Sequence, residues 1–508
     1  MLRGDLAPHE RVGKIAILCC DLCMHPPRLL ALSLLFLASI VSVPAAERLN
    51  ILLILSDDHS YPHVGCYGNP DIQTPNLDKF AAQGMRFDRA YVTSPQCVPS
   101  RASLMTGRSP VEIGMSRFSA PLPRDVKTFA EALRTAGWFT GVAGRTYHLD
   151  GARTSKEARD VFEQYKLSTF RDRLDYVNQA GDNAAGIVQF REFLDLAREK
   201  PFFLQLCSND PHRPLNTHGS QKHDPAKLKL PAHYPDTQLV REDFAHYYDE
   251  IAHLDAFFGE VMAELVARGL TDNTLVAFMG DNGASQLRGK GTLYEFGVHV
   301  PLLVRWPGKI KAGATTNELI SGEDLAPTFL EAAGLPIAPE MTGKSFLKLL
   351  HGERFEGRKF VFSERGAHGS SLPGNSAGFD LARVVISKNR KLIYNAMGQL
   401  PYWPVDFAGE RFWKELGQMN QAGKLDPKLS GVYFAPTRPL FEFYDLEKDP
   451  AELNNLAGNA AVAEEERELK AALTEWMILQ RDFLPLPATP DPKNRARRQA
   501  AKNKRTAE

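Results

Sequence analysis

Cysteine is scarce in this chain. Six occur in 508 residues, and three of them, Cys19, Cys20 and Cys23, stand within the first 23 positions. Only Cys66, Cys97 and Cys207 follow, too few and too scattered for a disulfide framework. Net charge is absent as well: 61 Lys and Arg balance 61 Asp and Glu. No global field draws the protein to nucleic acid, and no nucleic-acid partner is expected. The basic exception is the end, where seven Lys or Arg fall between Lys493 and Arg505. Residues 486–508 read as a solvated tail, with a tether to an acidic polymer or surface as the lesser reading. No repeat of fixed period is visible. The longest apolar run, Leu29 to Val43, is short for a bilayer span, so no stable membrane span is expected. Arg28 precedes it and Val43-Pro44-Ala45 follows with cleavage-site character. Residues 1–46 therefore read as a secretory signal, with Met24 as a candidate start. Export to the periplasm or exterior is expected, and an uncleaved anchor is the second reading. Against that background Cys97 stands out, set directly before Val98-Pro99-Ser100-Arg101.

What is present is ordinary globular composition, 43% hydrophobic and 24% charged, with length for a large core. Four short apolar runs each lead into residues capable of chemistry. Residues 49–55 lead into Asp57 and Asp58; 139–144 into Arg145 and His148; 201–207 into Asp210 and His212; 274–280 into Asp281 and Asn282. Near-continuous apolar runs of this length are strands buried on both faces. Between them lie helical stretches, among them one opening on a Thr128/Glu131 capping box and a long amphipathic one over 244–269. Alternating strand and helix predicts an α/β fold, a large mostly parallel sheet flanked by helices. In such sheets ligands bind beyond the carboxyl ends of the strands. The polar residues after the four runs should therefore gather at one edge. After about residue 350 the pattern changes to strand pairs and a closing helix. The expected organisation is a catalytic α/β domain over 47–350 and a smaller α+β subdomain with an antiparallel sheet over 351–485.

The residue types at this edge suggest a reaction. Pro99 suits a first helical turn and Thr106-Gly107 a stop, so Cys97 should open a helix, where the dipole and Arg101 favour negative charge. A reactive thiol and a small buried hydrophobe are both open readings. Asp57, Asp58, Asp281 and Asn282 offer hard oxygen ligands with no zinc-type Cys/His spacing nearby, which favours calcium, with magnesium second. Arg101, Arg145 and Lys290 can surround a compact oxyanion, and His148 and His212 can move protons. Together these suit transfer of a charged tetrahedral group.

"CVPSRASLMTGR" resembles the signature of the formylglycine-dependent sulfatases, which belong to the alkaline phosphatase-like superfamily. "ILLILSDDHSYPHVGCYG", "TLVAFMGDNG", "GKGTLYEFGVHVPLLVRWPG", "SNDPHRP" and "FEFYDLEKDPAELNNLA" are similar to further segments of that family, in order, across most of 48–460. The resemblance implies that a separate formylglycine-generating enzyme converts Cys97 to Cα-formylglycine. Its hydrate would attack sulfur and later release sulfate. It further implies one calcium ion on Asp57, Asp58, Asp281 and Asn282, with residue 97 as a ligand. Arg101, Arg145, His148 and Lys290 would serve the sulfate, and His212 the leaving group. The family's Gly-Lys-x-His stands here as Gly144-Arg145-Thr146-Tyr147-His148, with arginine for lysine and one more residue before the histidine. That spacing resembles iduronate-type members, whereas "SNDPHRP" and the Asp-Asn pair resemble N-sulfoglucosamine sulfohydrolase relatives. The expected activity is hydrolysis of a sulfate ester or sulfamate, on a sulfated small molecule or saccharide. The alternatives are a phosphomonoester, phosphodiester or phosphonate hydrolase of the same superfamily, and a non-catalytic sulfated-glycan-binding protein. The aromatics of "QLPYWPVDFAGERFW" read as a packed surface loop first and a sugar-stacking surface second.

Overall fold

The four apolar runs form the adjacent central strands of one sheet, in a computed structural model of the chain. It describes residues 48–487 apart from 119–120, 146–147, 151–159, 162, 167–169, 179–181, 216–222 and 369–374. The expected signal segment and the basic tail from 488 onward lie outside the described residues. In chain order the first strands are β1 (Asn50–Ser56), β2 (Met85–Phe87), β3 (Ala90–Tyr91), β4 (Phe139–Gly144) and β5 (Tyr176–Val177). Then come β6 (Phe202–Cys207), β7 (Thr274–Gly280), β8 (Leu302–Arg305), β9 (Ala314–Thr316) and β10 (Ile320–Ser321). The main sheet runs β5-β4-β6-β1-β7-β8-β2-β9, and β3 pairs with β10. β5, β4, β6, β1 and β7 run parallel to one another, β8 is antiparallel to β7 and β2, and β9 is parallel to β2.

Successive side chains of a strand point to opposite faces, and here each face has its own core. Leu52, Ile54, Leu204, Leu206, Val276 and Phe278 pack with Phe190, Phe193, Phe257 and Phe258 from the helices Asn183–Ala197 and Gln238–Ala267. Ile51, Leu53, Leu55, Phe203, Leu275, Ala277 and Met279 pack on the other side with Leu104, Phe129 and Phe329 from the helices Cys97–Thr106, Phe129–Thr135 and Leu325–Ala332. Each such side chain contributes about 1.5–3 kcal/mol by leaving water. The Thr128/Glu131 capping box forms as expected. The long helix starts at Gln238, six residues before the expected start, because Thr237 caps it by accepting from Val240 N.

The later strands are β11 (Val361–Arg365), β12 (Ala382–Ile386), β13 (Arg390–Asn395) and β14 (Phe441–Asp445), a fully antiparallel sheet in that order. One face carries Val385, Leu392 and Phe443 against Leu469, Leu473 and Met477 of the closing helix Ala463–Leu479. The other places Val384, Ile386 and Ile393 in the same core as the main sheet. Among the described residues no helix is long and apolar enough to cross a membrane.

Candidate active site

Parallel pairing in register brings four strand ends level. Leu55 pairs with Cys207, Ser56 with Gly280 and Gly144 with Cys207. The chain beyond each end is stitched to its neighbour: Asp57 N donates to Asp210 O, Asp281 N to Ser56 O, and Arg145 N to Cys207 O. The side chains that follow the strands therefore project over one rim, as the sequence predicts.

Asp57, Asp58, Asp281 and Asn282 are each fully buried. Asp58 sits at φ 65°, in the left-handed region that Asp tolerates better than most residues, and its N–H donates to Asp281 Oδ1 at 3.1 Å. Asn282 Nδ2 donates to Asp58 Oδ1 at 2.8 Å. Asn282 Oδ1 is buried with no hydrogen-bond partner. Ligand atoms of Asp57, Asp58, Cys97 and Asp281 all lie within 4.8 Å of one another. Three buried carboxylates this close are costly unless cations offset them. Burial pushes Asp58 up to about 7, with Asp57 adding to it, and burial and then Asp57 push Asp281 up to about 6. Asp57 is also raised by burial, but Arg145, His212, Arg101 and Lys290 outweigh that and hold it well below the usual carboxylate range. The three acids and the orphaned amide oxygen suit a divalent cation that prefers hard oxygen ligands, as calcium and magnesium do.

Cys97 opens its helix after Gln96, which is extended, and Gly107 at φ 65° ends it. Its Sγ lies 3.5 Å from Asp57 Oδ1. Of the two readings of the thiol, the surroundings favour the buried one: burial and then Asp57 raise it well above its ordinary value, with Lys290 opposing. An unmodified Cys97 is a protonated thiol facing acids. Arg101, one turn on, is fully buried and donates from Nε to Asp281 Oδ2 at 2.8 Å and from Nη2 to Asp57 Oδ2 at 3.1 Å. Arg145 Nε meets the same Asp57 oxygen at 3.0 Å, and its Nη1 bonds to Asn209 Oδ1. Lys290 Nζ lies 2.9 Å from Asp58 Oδ1.

The histidines sit at the rim too. His148, at φ 60°, has Nε2 buried without a partner, and ligand atoms of Asp57, Cys97 and His148 fall within 4.8 Å. His212 Nε2 lies 3.7 Å from Asp58 Oδ2, and its Nδ1 contacts Arg213 O. A carbonyl only accepts, so Nδ1 carries the proton and Nε2 faces the site. Burial lowers His212 to about 4, and Lys290 deepens the shift. Every expected site residue is thus brought to the rim. Asp210 is there as well but turns away, bonded to Asn183 Nδ2 at 2.8 Å and His253 Nδ1 at 2.6 Å.

Two residues at the rim were not expected. Asp406 Oδ2 lies 2.8 Å from Lys290 Nζ and 3.8 Å from His212 Nε2. His368 Nε2 lies 3.9 Å from Asp406 Oδ1, and its Nδ1 pairs with Gln96 Nε2 at 2.8 Å. Asp406 belongs to the segment singled out for its aromatics. Those aromatics are mainly core, with Tyr402, Phe407, Phe412 and Trp413 all buried, while Trp403 is 42% exposed. The sequence offered one local signal, an acid set between the apolar Val405 and Phe407.

Residues 49–335, which hold every expected site residue, match the family model for sulfatases. The chain belongs to the sulfatase family. An ulvan-active sulfatase of Formosa agariphila is 30% identical over 451 residues, covering 86% of this chain and 82% of that protein. Human arylsulfatase A is 30% identical over 502 residues, covering 88% and 90%. Human N-sulphoglucosamine sulphohydrolase is 28% identical, covering 85% and 90%. Among solved structures, BT4656 in complex with its substrate D-glucosamine-2-N,6-O-disulfate has a TM-score of 0.64 at 20% identity, covering 87% of this sulfatase and all of that chain. The phosphonate monoester hydrolase SpPMH from Silicibacter pomeroyi has a TM-score of 0.67 at 20% identity, covering 86% and 96%. At these identities the two structures establish the shared fold, a large mostly parallel sheet with a C-terminal antiparallel one.

Proposed function

We propose that this sulfatase is an exported, calcium-dependent enzyme that removes sulfate from a sulfated saccharide, using formylglycine made from Cys97. The observation that carries the reading is the placement of Cys97, at a helix start with its Sγ 3.5 Å from Asp57, within one cluster of buried acids and cations. The saccharide substrate is supported by the ulvan-active and N-sulphoglucosamine relatives. Export is supported by the sequence of residues 1–46, maturation requires a formylglycine-generating enzyme, and the organisation is the catalytic domain 47–350, the subdomain 351–485 and the tail 486–508.

Asp57, Asp58, Asp281 and Asn282 hold the cation, and residue 97 completes the set once its soft sulfur is replaced by oxygen. The ion and the hydrated aldehyde supply a polarised sulfate oxygen and a hydroxyl nucleophile. The chain's own residues do the rest. Arg101 balances Asp57 and Asp281 and keeps the helix start fixed. Lys290, Arg145 and His148 surround the oxyanion; a dry, fixed set of donors strengthens as charge builds in the transition state. His212 presents Nε2 to the leaving oxygen, and a bound anion raises its proton affinity toward the working range. Lys290 is paired with the buried Asp58, so it stays charged without mobile solvent.

The test is expression with and without a formylglycine-generating enzyme, followed by peptide mass spectrometry at residue 97 and assay of sulfate release. Activity should track conversion of Cys97 to the aldehyde. Turnover at full rate with only unmodified Cys97 would refute the mechanism. An aryl phosphate hydrolysed orders of magnitude faster than an aryl sulfate would favour the phosphate or phosphonate alternative.

A further inference from the structure

Asp406 is the carboxylate that the machinery above does not need. Lys290 already has a fully buried counter-ion in Asp58 at 2.9 Å, yet Asp406 contacts it again at 2.8 Å. Asp57 and Asp58 side chains have no exposure, whereas the Asp406 side chain keeps 30%. It is thus the one of these carboxylates in partial contact with solvent, at the rim above Lys290 and His212.

The position is built, not incidental. Asp406 has φ 69°, a conformation that needs support from its surroundings. On one side Val405 is buried and packs so tightly on Gly291, next to Lys290, that a Cβ there would fall 2.5 Å from its Cγ2. On the other, Phe407 is fully buried, stacks on Phe412 at 5.4 Å, and lies under the Arg213 guanidinium at 5.7 Å, next to His212. Both anchors grip neighbours of site residues, so the carboxylate is held over Lys290 and His212. Burial works against its charge, but Lys290 and His368 outweigh that and keep it ionised.

The charges then set a preference. Four carboxylates, at 57, 58, 281 and 406, face three permanent cations, at 101, 145 and 290. With a divalent cation in place one positive charge remains, which matches one sulfate monoester anion. A second anionic group on the substrate beside Asp406 meets repulsion from that carboxylate. A hydroxyl or N–H finds an acceptor.

Given the saccharide-sulfate reading above, we infer that Asp406 is a specificity-determining residue. Its carboxylate accepts hydrogen bonds from donors on the sugar next to the scissile sulfate and rejects a carboxylate there. The substrate class is then a sulfated neutral sugar or hexosamine, as against a sulfated uronic acid.

The test compares wild-type enzyme with Asp406→Asn, Asp406→Ala and Asp406→Glu on four sulfates: N-sulfoglucosamine, glucosamine 6-sulfate, 2-sulfated iduronic acid and 4-nitrophenyl sulfate, which has no sugar donors. Wild type should favour a hexosamine sulfate over the uronate by about 100-fold or more in kcat/KM, on the scale by which a site built to pair a donor discriminates. Asp406→Ala should lose about 10- to 100-fold on that hexosamine sulfate, chiefly in KM, since a hydrogen bond to a charged group is lost. The loss on 4-nitrophenyl sulfate should be at least about tenfold smaller. Asp406→Asn should narrow the gap to the uronate, and Asp406→Glu should keep it. A wild-type enzyme that cleaves the uronate as well as the hexosamines overturns the inference. So does an equal loss on aryl and sugar substrates, which would make Asp406 a structural partner of Lys290. Calorimetric titration of N-sulfoglucosamine and glucosamine 6-sulfate into Cys97→Ala, with and without Asp406→Ala, reads binding without turnover. Weakening by about 10- to 100-fold supports the role and unchanged affinity refutes it, even if no sulfate is hydrolysed and the chemistry proposed above fails.

Discussion

Replacing Arg101 by glutamine takes away the guanidinium that lies between Asp281 and Asp57. Both ion pairs are at zero exposure, with contacts of 2.8 and 3.1 Å. Removing one partner of a buried pair leaves an uncompensated buried charge, worth about 3–5 kcal/mol. In a chain of this size that is about 3–5 °C in melting temperature. The measurement is thermal unfolding with a chelator present, so that no added cation substitutes for the lost one. Asp281→Asn tests the cause. It removes one of three crowded acids, so alone it should cost little in chelator, and in the Arg101→Gln background it should restore about half of the loss. Added calcium should stabilise wild type by about 2.7 kcal/mol at a hundredfold excess over Kd, and so raise its melting temperature, but not that of Asp281→Asn. Arg101→Gln melting within a degree of wild type in chelator, with or without Asp281→Asn, would refute the electrostatic account of the site.

Further outcomes follow from the same geometry. In chelator, Asp58 and Asp281 have folded-state values raised to about 7 and about 6 from 3.8. The folded state then binds more protons than the unfolded one, so these two groups should add stability as pH falls from 8 to 5, measured by denaturant melts; calcium should reverse the slope, because protons compete for its ligands. Cys97→Ala should retain the fold and its stability within about 1 kcal/mol while sulfate release drops to background, since the side chain lost is small and alanine cannot become the aldehyde. His212→Ala should cost about 100-fold or more on a sugar sulfate and much less on 4-nitrophenyl sulfate, whose leaving group needs no proton; equal losses on both would remove His212 from the acid role. Leu53→Ala, at a fully buried position in β1, should destabilise by about 2–5 kcal/mol in urea melts without altering KM.

Much of the site was legible because it follows the chain. Asp57, Asp58, Arg145, His212, Asp281 and Asn282 each stand just beyond a buried strand, and parallel strands in register leave their ends no choice but one rim. β4 and β7 fall on the expected residues because their apolar runs are bounded by turn-forming neighbours. The strand and helix pattern beyond residue 350 was also local, a matter of hairpin spacing and amphipathic period.

Other features depend on distance in the fold. The environment of Cys97 was open in sequence because a helix start is visible there, whereas burial beside Asp57, 40 residues away, is not. Asp406 and His368 reach the site only because their loops pack back over Lys290 and Gln96, and no periodicity links them to residue 290 or 96. The sequence by itself determined the strands, the order of the motifs and the donors they carry, since these rest on local pattern and on connections that keep parallel ends together. Only the tertiary structure decided which charges are dry, which acid faces solvent and which cation is shared, since desolvation and Coulomb energy depend on the neighbours that packing supplies.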